Sequence, residues 1–113
     1  SMLMYKLDYD FHNIIFEATG NNWLLGAIKK LRDNFLRIET QSAFSKKTSA
    51  KAVFTEHYKI LKAIQKRDPD LARAAMQNHL EHTYHRTLAN ILEKEQKNNA
   101  RKRAFNIRLV PFG

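Results

Sequence analysis

The sequence predicts an all-α fold, an antiparallel helical bundle, and three observations predict it. The 113 residues hold only 3 Gly and 2 Pro, too few turn-formers for a many-stranded sheet. Apolar residues recur at helical spacing in four separate segments. Hydrophobic residues make up 43% of the chain, enough for one core in one domain of ordinary size.

The first helix is expected from about Met4 to Ala18. Met4, Asp8, Phe11, His12 and Ile15 share a face, which is therefore apolar but carries an acid and an imidazole. Thr19, Gly20 and Asn21 close it. Gly20 suits the left-handed position past a helix end, and Asn21 suits a cap for the next helix. The second helix runs from about Trp23 into the low forties, with Leu24, Ile28, Leu31, Phe35 and Ile38 inward and Lys29, Lys30, Arg32 and Asp33 mostly outward. Residues 45–49 carry no apolar side chain and read as a loop. The third helix covers Ala50 to Lys66, with Val53, His57, Ile60, Leu61 and Ile64 on one face. Asp68 then caps a fourth helix whose first residue is Pro69, where a missing N–H costs nothing. Its stripe is Ala72, Ala75, Met76, His79 and Thr83, and it is expected to end in the middle nineties.

Two units follow: a helical domain over residues 1–93 and a basic tail or arm over residues 94–113. The tail holds six Lys/Arg and one acid. Its end alternates Phe105, Ile107, Leu109, a strand-like pattern, so a mobile tail or an arm packed on a neighbour is expected. Ser1 ahead of Met2 reads as a cloning remnant and is set aside.

Lys and Arg number 20 against 11 Asp and Glu, a formal charge of +9. That excludes an acidic solvating chain and invites a nucleic-acid reading. The absence of cysteine excludes a disulfide scaffold, a cysteine zinc finger and a thiol nucleophile. No apolar run is long enough to cross a bilayer, and no signal peptide opens the chain.

Chemistry concentrates in Asp8, His12, His57 and His79. Asp8 and His12 stand one helical turn apart on one face. His57 and His79 each lie eleven residues from Asp68. In an antiparallel hairpin they would stand at one height, about 16 Å from the turn. If the first helix packs beside that hairpin, the four side chains converge. A lone imidazole on an apolar face is ordinarily a hydrogen-bonded core residue, and an Asp–His pair four apart is often a surface pair. The hairpin symmetry is what favours a common site. Three imidazole nitrogens and one carboxylate oxygen suit a divalent ion, Zn²⁺ first, with Ni²⁺ and Mn²⁺ as alternatives. His82 and His85 do not share the His79 face and read as surface residues or as partners of the ligands.

Asp8–Tyr9–Asp10–Phe11–His12, followed by Ala18, Thr19, Gly20, Asn21 and Leu24, resembles the opening motif of the FCD domain. That is the effector-binding domain of FadR-type regulators in the GntR family. Glu56–His57, Ile60, Ala63–Ile64, Asp68, Ala72, Ala75–Met76 and His79–Leu80 continue the match, which covers about residues 5–92. The resemblance implies a six- or seven-helix bundle in which Asp8, His12, His57 and His79 hold a metal. It implies a small organic acid effector bound beside that metal, a homodimer, a cytoplasmic location and no membrane. DNA would be contacted through a winged helix-turn-helix domain, which does not precede Asp8 here. The first helices of the family's domain are missing as well, so the chain is expected to be a fragment. Arg37 is a candidate for pairing the effector's carboxylate, against the plainer reading of an exposed arginine.

Two other functions compete with the sensor. A mononuclear metal-dependent hydrolase would need a general base beside the metal. Asp10 and Glu56 are the nearest candidates, and neither lies on the ligand face. A basic nucleic-acid-binding module would rest on Arg101, Lys102 and Arg103.

Overall fold

The computed structural model describes the backbone of residues 2–42 and 50–109, and the side chains of residues 3–34 and 50–107. Among the described residues four helices follow one another: α1 (Met2–Ala18), α2 (Asn22–Ser42), α3 (Ala50–Gln65) and α4 (Pro69–Leu109). Among the described residues there is no strand. The loop expected at 45–49 lies outside the described residues. So do the side chains of Phe35, Arg37 and Ile38, although their backbone is part of α2.

Sequence-local signals set the helix boundaries. Thr19 donates its hydroxyl to the Phe16 carbonyl at 2.7 Å, and Gly20 takes a φ of 65°. That left-handed conformation costs glycine nothing. The Asn21 side chain then accepts from the Leu24 N–H at 3.0 Å, satisfying a donor that the first turn of α2 cannot pair internally. Helix α3 closes with the Asp68 N–H on the Ala63 carbonyl at 3.1 Å and the Arg67 N–H on that of Ile64 at 2.9 Å. This is the paired closure that forces one residue into the left-handed region. Arg67 fills that place at φ 54°. Asp68 at once begins α4, accepting from the Leu71 N–H at 3.0 Å.

The α3–α4 hairpin is the main packing unit, and its buried stripe is Val53, Glu56, Ile60 and Ala63. Leu61 and Ile64, expected inward, are 42% and 45% exposed. The stripe is turned toward Glu56 because α4 lies on that side. Helix α2 is rotated in the same sense. Leu31 is 69% exposed, whereas Arg32 is half-buried. Arg32 lays its guanidinium 3.9 Å from the Tyr9 ring centre and donates to the Tyr9 carbonyl at 3.1 Å. A cation over an aromatic face is attracted by the ring's negative charge, so this basic residue ties α2 to α1.

Phe105, Ile107 and Leu109 do not form a strand. They continue α4, a single helix of 41 residues. A helix already nucleated adds one hydrogen bond per residue fixed, and the Lys, Arg, Gln and Ala of this segment are good helix formers. A short alternating pattern does not outweigh that. Described side chains from Lys94 to Ile107 are all exposed.

Removing the cap with Asp68→Ala should destabilise the chain by about 1 kcal/mol in urea unfolding. Arg67→Gly, which removes a Cβ from a left-handed residue, should be neutral or stabilising. A stability loss from Arg67→Gly would contradict the strained closure.

Candidate metal centre

Helices α1, α3 and α4 deliver Asp8, His12, His57 and His79 to one place. One donor atom from each lies within 4.8 Å of all the others. His12 Nε2 is 3.1 Å from His79 Nε2, and His57 Nε2 is 3.1 Å from Asp8 Oδ1. His12 Nε2 is 3.5 Å from the same Asp8 oxygen. The hairpin brings His57 and His79 face to edge, with ring centres 4.7 Å apart. Phe11 stacks on His57 at 4.3 Å, nearly parallel at 13°, and holds that ring against α1.

These four groups fit a divalent cation. Ligands at about 2.0–2.2 Å from a shared ion stand roughly 3.0–3.5 Å apart when adjacent. The three short separations fall in or beside that range. The sharper test is His57 Nε2. It is buried and makes no well-aligned hydrogen bond, although Asp8 Oδ1 is 3.1 Å away. A buried imidazole nitrogen left unpaired is costly. The atom is near the carboxylate but not aligned with it, as expected where both aim at a common point.

The charge balance agrees. Burial works to raise the Asp8 carboxyl, but the imidazoles of His12 and His57 outweigh it and hold Asp8 well below the usual carboxylate range. Burial is the main influence on His79 and pushes its pKa down, with Glu56 opposing. An ionised aspartate and a neutral histidine are the protonation states a metal requires.

Glu56 is the residue that sequence reasoning placed wrongly. It is 7% exposed, inside the hairpin. Its Oε1 accepts from His79 Nδ1 at 2.7 Å and from Arg86 Nη2 at 2.8 Å. Its Oε2 accepts from Arg86 Nη1 at 2.7 Å and from His82 Nδ1 at 3.2 Å. Burial alone would raise Glu56, but Arg86 and His79 overcome it and lower its pKa to about 2. Arg86 stands two turns beyond His79 and so shares its face. That spacing was the available signal. His82 does sit at the edge as a partner, half-exposed, and His85 is exposed and lies against Tyr84. A groove of about 600 Å³ between α1 and α3 opens beside Asp8 and His57, walled by Leu7, Phe11, Phe54 and Tyr58 among others. No described helix is long and apolar enough to cross a membrane.

Fold and site together define a small helical domain built around a carboxylate–imidazole cluster. The chain belongs to the FCD domain family, which matches residues 2–82. It is 32% identical over 86 residues to the HTH-type transcriptional repressor NanR of Klebsiella aerogenes, a match covering 66% of this chain and 29% of that protein. The chain thus spans under a third of that relative. No solved structure matches it.

The pH dependence of stability has a defined sign in the metal-free chain. Glu56 has a folded pKa below its ordinary 4.5. Its stabilisation is therefore complete above 4.5 and lost as pH falls toward about 2. His79 is also depressed, from 6.5, so its share begins to fade below that value. Urea midpoints should fall with acidification in both ranges, and Glu56→Gln should flatten the lower one in part, because Asp8, also held below its ordinary range, loses its share there too. A midpoint unchanged across both ranges would contradict these assignments.

Proposed function

We propose that this chain is the metal-containing effector-sensing domain of a GntR/FadR-type bacterial transcriptional regulator, with Asp8, His12, His57 and His79 as the metal ligands. The observation that carries the reading is the unpaired, buried Nε2 of His57 beside three further donor atoms. Three nitrogens and one oxygen favour Zn²⁺, with Ni²⁺ or Mn²⁺ as alternatives. The ion, once bound, supplies an electrophilic centre for a carboxylate. The effector is accordingly a small organic acid reaching the centre from the groove beside Asp8 and His57, and Arg37 is the proposed counter-ion for its carboxylate.

The regulator acts in the cytoplasm as a homodimer. Leu80, Tyr84, Leu88 and Leu92 support the dimer, since they recur every fourth residue on α4 and are all exposed. DNA contact belongs to a winged helix-turn-helix domain outside this sequence. Effector binding shifts the population of two dimer arrangements, provided its affinity differs between them. The basic arm begins at about residue 94, where α4 runs on past the sensing unit.

The hydrolase reading has less support. Both Glu56 oxygens are engaged by Arg86 and the histidines, and Asp10 is exposed on α1. Neither is free to act as a base at the centre. A basic nucleic-acid module would rest on the exposed Lys and Arg of the α4 end alone.

Elemental analysis should find close to one divalent ion per chain, and His12→Ala should remove it. Chelation should lower the thermal midpoint by roughly 10 °C for metal at about a hundredfold excess over its dissociation constant. A small dicarboxylic acid should bind the metal-loaded chain and not the chelated one, measured by calorimetry. A chain that takes up no Zn²⁺, Ni²⁺ or Mn²⁺ overturns the reading. So does hydrolytic turnover that is lost with His57→Ala.

A further inference from the structure

The four proposed ligands are not held alike. His79 is the one whose far ring nitrogen meets a buried carboxylate. Both Glu56 oxygens accept from the Arg86 guanidinium, so Oε1, 2.7 Å from His79 Nδ1, is the acceptor there and the ring proton sits on Nδ1. The lone pair is then on Nε2, which is the atom 3.1 Å from His12 Nε2 and inside the donor cluster. Glu56 is itself fixed. Arg86 grips both of its oxygens at 2.7 and 2.8 Å. Arg86 also donates to Thr83 Oγ1 at 3.3 Å, and that hydroxyl bonds the His79 carbonyl at 2.9 Å. The loop therefore closes on His79 from both its ring and its backbone. A bidentate guanidinium–carboxylate pair fixes orientation as well as charge.

We infer that Glu56, clamped by Arg86, is a positioning residue that selects the ring tautomer and orientation in which His79 presents its Nε2 to the metal. The inference rests on the metal reading above and assigns Glu56 no place on the ion. Carboxylates that orient a ligating imidazole typically govern metal affinity by about 10- to 100-fold. This pair explains an otherwise unfavourable feature, an ionised glutamate inside a helical hairpin.

The test uses the full chain and Zn²⁺ alone. Affinity is read by competition with a chromophoric chelator. The tautomer of His79 is read in the metal-free chain from long-range proton–nitrogen spectra of the imidazoles. Glu56→Ala should weaken Zn²⁺ binding by about 10- to 100-fold, and His79 should lose its single Nδ1–H form. Glu56→Gln keeps an acceptor at the same place, so it should restore the tautomer and most of the affinity. Arg86→Met should lower affinity, and Arg86→Lys less so. Should Glu56→Ala fail to fold, the two Arg86 variants carry the comparison. A folded Glu56→Ala chain with unchanged affinity and an unchanged His79 tautomer overturns the inference and leaves the metal reading standing. If the unaltered chain takes up no Zn²⁺, the competition is run with Ni²⁺ and Mn²⁺; uptake of none of the three sinks the metal reading, and the tautomer spectra still decide whether Glu56 orients His79.

Discussion

The structure depends on the convergence of three imidazole rings and one carboxylate where α1, α3 and α4 meet. Only Val53, Ile60 and Ala63 count as buried hydrophobic residues among those described, whereas His12, Glu56, His79 and Thr87 are buried and polar. The junction is therefore held mainly by polar groups and stacked rings. Such a centre is favourable only when each donor has a partner. His79 and Glu56 are fully engaged, and His57 Nε2 is not. The need to satisfy that nitrogen links the fold to its proposed cofactor.

The electrostatics are layered. Asp8 faces the cluster from α1 and draws positive charge toward it. Glu56 stands behind His79 and is neutralised by Arg86. The two carboxylates thus serve different ends, although both are depressed below their ordinary values. Asp8 is held down by the imidazoles it would share with an ion, and Glu56 mainly by a guanidinium that stays charged at any ordinary pH.

Much of this was legible in the sequence, because the relevant signals are local. Gly20, Asn21 and Asp68 mark helix ends through their own backbone and side-chain chemistry. The pairing of His57 with His79 follows from equal distance to one turn. The inward turn of Glu56 was not legible in the same way. Burying a carboxylate is normally prohibitive, and the residue that permits it, Arg86, stands thirty positions away. Arg32 was misplaced for a similar reason, since its partner ring is on another helix. Phe105, Ile107 and Leu109 suggested a strand, but an alternation that short has no weight against a long helix already under way.

The unbroken course of α4 has a mechanical consequence. His79 lies near one end of this helix and Arg101 lies 22 residues further along, about 33 Å away at the usual rise. A stiff rod seated at one end converts small angles into large displacements. Tilting α4 by about 10° around His79 would carry the backbone at Arg101 through roughly 6 Å. With such a tilt the imidazole cluster would lie at the pivot, and the cationic end of the helix would be the far tip of the lever.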